Sequence, residues 1–215
     1  MSTRTETSPY KIKSGQQIDI PNSEIKILEL ASSTGKAAIE LSNVGYDVIA
    51  SDIEDLPLAR AREAGVKCVQ FDATQKFPFP NQFIHAILMG ELLEHIFDIS
   101  ATLSECNRVL CSNGILVITT PNLATLQDRL RFLFGHAPRQ LNPLHEYLKL
   151  HIRPFTYSLL NKTLQEMGFA TNQVLSNYVF WEWEGGKRVE FRLPARLFPK
   201  LGGSLIVSAY KLSNM

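Results

Sequence analysis

Three apolar runs in the first third of the chain each carry an acid at or beside their carboxyl end, and each runs into a turn. No other feature constrains the fold as tightly. Residues 24–30 form a β-branched and leucine run holding Glu29, closed by the small-residue turn Ala31-Ser32-Ser33-Thr34-Gly35 and a helical stretch over 36–44. Residues 46–52 make a second strand ending in Asp52, followed by a helix over 58–64 that Gly65 stops. Residues 67–72 make a third, ending in Asp72. The run 83–89 is almost continuously apolar, as a strand covered on both faces must be. A helix over 100–111, a turn at Ser112-Asn113-Gly114 and a strand over 115–120 ended by Pro121 follow. A helix over 156–167, capped by Thr156 and stopped by Gly168, and strands over 169–175 and 205–210 complete the pattern. Strands alternating with helices in this way predict βαβ units: a doubly wound, mostly parallel, seven-stranded Rossmann-like sheet with helices on both faces. Ligands of such sheets bind at the carboxyl ends of the strands, where the acids and turns just named fall.

Composition narrows the class further. With 22 Lys and Arg against 21 Asp and Glu, the net charge of +1 supplies no global field for nucleic acid, and no nucleic-acid partner is expected. No apolar stretch is long enough for a membrane span, and the polar opening MSTRTETSPYKIKSGQQ lacks a signal-peptide core, so a cytoplasmic protein is expected. The organisation predicted is a polar tail over 1–21 and a single domain over 22–215, with a helical insertion at about 122–153. Cys68, Cys106 and Cys111 form no metal spacing and are an odd set for disulfides. His136, His145 and His151 stand nine and then six residues apart, which matches no common zinc pattern, so no metal is expected.

The first strand–turn–helix carries the most chemistry, because small residues let backbone N–H groups approach a polar ligand at a helix N-terminus. A dinucleotide fingerprint laid here would put Lys36 where the third glycine packs helix on strand, which disfavours an NAD-linked oxidoreductase. Another pattern fits better. ILELASSTG, SDIED, FDAT, GELLEH, RVLCSNGILVITTPN and HIRPFT followed by a helix ending in MGF come in the order of the blocks of class I S-adenosylmethionine-dependent methyltransferases, and from Ile27 to about Gly168 the chain resembles that family. The resemblance implies S-adenosylmethionine as cofactor and methyl transfer to a small-molecule, glycan or lipid-precursor acceptor. It also implies a cofactor site of Glu29, Ala31, Ser33, Gly35, Asp52, Ile53, Asp72, Ala73, Met89 and Glu91, with Asp52 on the ribose hydroxyls and Asp72 near the adenine amine. Only the last glycine of the family's G-x-G-x-G turn is kept, as Gly35; Ala31 and Ser33 occupy the other two positions.

Each residue also has a plain structural reading. Glu29 and Asp52 serve equally as turn caps, Asp72 as an N-cap ahead of Thr74, and Ile53 and Met89 as core. His95, just past a strand end, is the candidate base, against a reading in which it merely packs. In the insertion, Leu123, Leu126, Leu130 and Leu133 share one helical face, while Arg129, Arg131 and Arg139 form a basic set. A lid over an anionic acceptor and an ordinary amphipathic helix both fit. Arg129, Arg131, His151 and Arg153 are the candidate acceptor contacts. The fold without chemistry, as a cofactor-binding or fold-only module, is the competing reading that the altered turn favours.

Overall fold

A computed structural model of the chain describes residues 7–11, 17–183 and 187–212. Residues 1–6 and 12–16 of the expected polar tail therefore lie outside the described residues. Within that tail, β1 (Thr7–Lys11) and β2 (Gln17–Pro21) pair antiparallel, with Thr7 opposite Pro21. The alternation of Ile18 and Ile20 with polar neighbours is the strand-period signal behind this ladder. The chain forms two compact units: Met1–Met89 with Ser100–Leu116 and Lys211–Met215, and Gly90–Ile99 with Val117–Tyr210.

The first unit is built on β3 (Lys26–Leu30), α1 (Lys36–Asn43), β4 (Asp47–Asp52), α2 (Ala59–Glu63), β5 (Lys67–Gln70), β6 (Ile84–Gly90) and α3 (Ile99–Val109), the last two reaching just past its bounds. β3 pairs parallel with β4 on one side and with β6 on the other, and β4 pairs parallel with β5. The chain thus runs outward from β3 to β5 and then returns to β3's other flank, which makes the carboxyl ends of β3 and β6 a topological switch point. Ile27, Val48 and Ala50 from the sheet and Ala38, Leu58 and Ala61 from the helical side form one buried cluster. At about 25 cal/mol per Å² of apolar surface removed from water, such burial drives the assembly.

After α3 the chain enters β7 (Leu110–Pro121), which starts five residues earlier than the sequence suggested. The expected turn survives only as a local distortion inside the strand, with Asn113 at φ 61°. Gly114 is needed there, since a Cβ would sit 2.9 Å from the Cys111 carbonyl oxygen.

The second unit continues with α4 (Leu126–Leu133), α5 (Tyr157–Glu166), β8 (Phe169–Leu175), β9 (Val179–Glu182), β10 (Arg188–Phe191), α6 (Arg192–Leu197) and β11 (Ser204–Lys211). The Thr156 hydroxyl caps α5 by accepting the Leu159 N–H at 3.2 Å, as the sequence predicts, and Gly168 closes it at φ 81°. β9 and β10 pair antiparallel, with Trp181 opposite Val189. Asn122 is fully buried, and its amide donates to the carbonyls of Lys200 (3.1 Å) and Gly202 (2.8 Å), pinning the chain as it leaves β7. The seven-stranded sheet has the order β5-β4-β3-β6-β7-β11-β8 and is mostly parallel, in agreement with the expected fold class. No helix among the described residues is long and apolar enough to cross a membrane.

One expectation fails in α4. Leu126 is 38% exposed, Leu130 39% and Leu133 74%, while Gln127 and Asp128 are the buried residues. Polar pairing overrides the leucine periodicity. Gln127 donates to the Glu182 carbonyl at 2.6 Å and accepts the Glu182 N–H at 3.0 Å, completing β9's edge. The Thr125 hydroxyl donates to Asp128 at 2.6 Å and accepts the Asp128 N–H at 3.1 Å. Both polar side chains are therefore drawn inward.

Candidate functional site

The turn after β3 holds its shape through three left-handed residues at alternate positions: Ala31 (φ 51°), Ser33 (φ 48°) and Gly35 (φ 69°). A non-glycine residue in that region costs about 1–2 kcal/mol, so Ala31 and Ser33 are strained where Gly35 is not. Gly35 is further fixed by packing, since a Cβ there would meet the Ala61 Cβ at 2.6 Å.

Around this turn the candidate acids are engaged. Asp52 accepts the Ser33 N–H at 2.8 Å on one oxygen and the Glu54 N–H at 3.1 Å on the other. Glu29 accepts the Ala38 N–H at 3.0 Å and so braces the first turn of α1 from below. Burial raises the Glu29 carboxyl above its ordinary value, and the Ala38 N–H works against that rise. Asp72 accepts both the N–H and the hydroxyl of Thr74 at 2.8 Å, but the chain makes a turn there and no helix, so the expected N-cap gives way to an Asx turn. The neighbouring Ala73 carbonyl accepts the Thr102 hydroxyl at 3.0 Å, tying this loop to α3. Ile53, 61% exposed, offers an open apolar face at the end of β4. Met89 does not: its side chain is fully enclosed in the core, so the expected purine cover at that position gives way to a packing role.

In the second unit, Glu91 follows β6 at φ 48°, its N–H donating to the Thr119 carbonyl at 2.9 Å. Glu94 is 1% exposed, yet neither carboxylate oxygen has a hydrogen-bond partner. Burial pushes this carboxyl up to about 7, and the Glu91 carboxylate adds to the rise. The Thr120 hydroxyl eases the shift without reaching hydrogen-bonding geometry. His95 is exposed, and its Nδ1 lies 3.0 Å from the Leu150 carbonyl oxygen. A carbonyl only accepts, so Nδ1 carries the proton and Nε2 of the neutral ring is the basic nitrogen. The His151 ring stands edge-on to His95 with centroids 4.9 Å apart. Burial first, then the charges of His95 and His145, hold His151 below its ordinary value.

The candidate basic residues divide by what they touch. Arg153 donates to the Phe97 carbonyl at 3.0 Å and lies over the Phe97 ring, and its own N–H donates to the Glu94 carbonyl. Arg129 donates to the carbonyls of Ala124 (2.8 Å) and Lys200 (3.4 Å). Arg139 pairs with the buried Asp128 at 3.2 Å and with Glu182 at 2.9 Å. Arg131 keeps a buried Nε without an acceptor, on the wall of a cleft of about 680 Å³ that His136, Arg139, His145, Phe180 and Arg188 also line.

A family model described as a methyltransferase domain matches residues 28–118. A protein of Mycolicibacterium smegmatis, named a probable S-adenosylmethionine-dependent methyltransferase, is 26% identical over 151 residues, 69% of this chain and 53% of that protein. The ubiquinone/menaquinone biosynthesis C-methyltransferase UbiE of Coxiella burnetii is 32% identical over 169 residues, 67% of this chain and 66% of that one. A solved S-adenosylmethionine-dependent methyltransferase of Methanosarcina mazei superposes with a TM-score of 0.63 at 17% identity, covering 89% of this chain and 94% of that chain. The chain belongs to the class I S-adenosylmethionine-dependent methyltransferase family. It spans about half the length of the curated mycobacterial relatives it matches.

The part matched by the methyltransferase family model takes in Glu29, the 31–35 turn, Asp52, Asp72 and the Glu94–His95 pair, and stops short of Arg129, Arg131, His151 and Arg153. Sequence reasoning passed over Glu94 itself. Its signal was present: an acid flanked by Leu92, Leu93 and Ile96 sits in a local run that burial favours, and a buried acid is rare without a reason.

Proposed function

We propose that this methyltransferase-family chain binds S-adenosylmethionine on the turn after β3 and moves its methyl group to a small-molecule acceptor, with glycan and lipid precursors as the classes to try first. The observation that carries this reading is the run of left-handed residues Ala31, Ser33 and Gly35 beside Asp52 at the carboxyl ends of β3 and β4. The residues fit the group. A carboxylate has about four lone-pair sites, so Asp52 retains acceptor capacity for two ribose hydroxyls after taking the Ser33 and Glu54 amides. The Lys36 and Ala37 amides at the start of α1 have no acceptor inside the helix and suit the cofactor's methionine carboxylate, while Glu29 takes the Ala38 amide. Ile53 supplies apolar cover and the Asp72 loop acceptors for an adenine amine.

When bound, S-adenosylmethionine supplies a methyl group already activated on a sulfonium, which leaves the chain to position, desolvate and, for a weakly acidic nucleophile, accept a proton. His95 Nε2 is the group proposed for that proton, since the Leu150 carbonyl holds its ring in the required tautomer. Arg131, with its unmatched Nε, is the residue proposed to contact an anionic acceptor. The name of the Coxiella relative, a C-methyltransferase of quinone biosynthesis, supports a small-molecule acceptor. Calorimetric titration with S-adenosylmethionine and S-adenosylhomocysteine tests the reading. Saturable binding of both is expected, and no binding at millimolar ligand removes it. Binding without turnover across an acceptor panel leaves the fold-with-cofactor module in its place.

A further inference from the structure

The second unit brings together three groups that the sequence keeps apart. One ligand atom each from Glu94, His95 and His151 lies within 4.8 Å of the other two. We infer that Glu94, His95 and His151 form a binding site for a divalent transition-metal ion.

Three observations support it. Glu94 is 1% exposed and both its oxygens lack a hydrogen-bond donor, and among the described residues no Lys or Arg pairs with it. A buried carboxylate in that condition costs several kcal/mol unless it takes up a proton or a cation satisfies it. His95 donates Nδ1–H to the Leu150 carbonyl, the arrangement by which metal-ligating histidines are oriented, and this leaves Nε2 for an ion. Glu94, His151 and Gln140 line one cavity of about 10 Å³, and the Gln140 side-chain oxygen is likewise buried without a donor. Two orphan acceptors around a void of single-atom size call for a positive occupant or a water.

Two imidazoles and a carboxylate suit ions such as Zn²⁺, Co²⁺, Fe²⁺ and Mn²⁺ rather than Ca²⁺ or Mg²⁺, which prefer oxygen alone. Ligand bonds of about 2.0–2.2 Å require the three donor atoms to draw in from their present spacing, a movement that the exposed His95 side chain can supply. The exposure of His95 also leaves coordination positions open to a water or to an oxygen of a second molecule, as in catalytic rather than structural sites. An ion on Nε2 would take up the lone pair otherwise assigned to proton transfer, so the metal would lower the acidity barrier of a bound hydroxyl in place of a free base. Binding of the ion itself does not depend on the methyl-transfer reading.

The test uses the untagged, chelator-stripped chain titrated with Zn²⁺, Co²⁺ and Mn²⁺ alone, by calorimetry, by thermal shift and, for Co²⁺, by its visible absorption. One ion per chain with a rise in Tm is expected. His95→Gln and Glu94→Gln should each weaken binding by at least roughly tenfold, whereas His136→Ala leaves it unchanged. Glu94→Gln should also raise the Tm of the stripped chain, because the buried charge is gone; a site that is merely structural would show a fall. Absence of a one-to-one event with all three ions overturns the inference. So does binding that persists in His95→Gln and Glu94→Gln, or that His136→Ala removes equally. Should Glu94→Gln fail to fold, the exposed His95→Gln variant still decides the matter.

Discussion

The Asp52 carboxylate accepts the Ser33 backbone N–H at 2.8 Å, so the acid at the end of β4 holds the strained turn that follows β3. One side chain thereby serves both turn geometry and, in the proposed function, the ribose hydroxyls. Asp52→Ala is expected to weaken S-adenosylhomocysteine binding by about 1–3 kcal/mol and to lower stability by about 1 kcal/mol. Asp52→Asn, which keeps one acceptor oxygen, should recover most of the stability and less of the affinity. Calorimetry and chemical denaturation of the two variants separate the roles; unchanged affinity in folded Asp52→Ala would leave only the capping role.

The left-handed backbone at Ala31 and Gly35 predicts opposite outcomes for reciprocal changes. Ala31→Gly relieves αL strain at the cost of a more flexible unfolded chain, for a net gain of about 0.5–1 kcal/mol. Cofactor affinity should be unchanged or improved. Gly35→Ala adds the same strain and drives a Cβ to within 2.6 Å of Ala61, so a loss of about 2 kcal/mol or more is expected. Urea unfolding midpoints measure both, and destabilisation by Ala31→Gly would mean that its methyl packs productively.

These local features were legible because they depend on neighbours in sequence. An apolar run, an acid and a small-residue turn fix β3, the turn and α1 through backbone preference alone, and Thr156 and Gly168 announce α5 in the same way. What stayed hidden depends on long-range contacts. Leu126, Leu130 and Leu133 read as a buried stripe, but Glu182 and Arg139, distant in sequence, supply partners that draw Gln127 and Asp128 inward instead. His151 read as a candidate acceptor contact outside any zinc spacing, because nothing local shows that the chain returns it to His95. Met89 and Ile53 looked alike as apolar strand-end residues. Only the path of the backbone makes one core and the other exposed.

His85 carries a pH prediction. Its Nδ1 accepts the Lys26 N–H at 3.0 Å, which requires that nitrogen to be unprotonated. Burial, and then the Lys26 charge, hold its pKa below the ordinary histidine value. The unfolded chain therefore binds the proton first, and the stability contributed by this group is present above about pH 6.5 and is lost as pH falls through the unfolded value toward the folded one. Comparing unfolding free energies of the native chain and His85→Asn from pH 7.5 to about 5 isolates the effect. The native chain should show the steeper loss; parallel curves would show that His85 does not titrate differently on folding.

Arg129, Arg131 and Arg139 do not form one basic set, and their separate environments predict separate phenotypes. Arg139 is the partner of Asp128, whose side chain is 1% exposed, so Arg139→Gln leaves a buried carboxylate uncompensated. Breaking such a pair costs about 3–5 kcal/mol, and the effect should appear as lost stability. The Arg129 guanidinium is held by the Ala124 and Lys200 carbonyls, and Arg129→Gln should cost little of either stability or turnover. Arg131 keeps its Nε buried without an acceptor on the wall of the cleft. If an anionic acceptor meets that group, Arg131→Gln raises its KM by about tenfold, the loss of one charge-assisted hydrogen bond, while S-adenosylmethionine affinity and Tm hold. Steady-state kinetics on matched anionic and neutral acceptors decide it. Equal KM for both acceptors, in the native chain and in Arg131→Gln alike, would remove the anionic acceptor and leave Arg131 a structural cation.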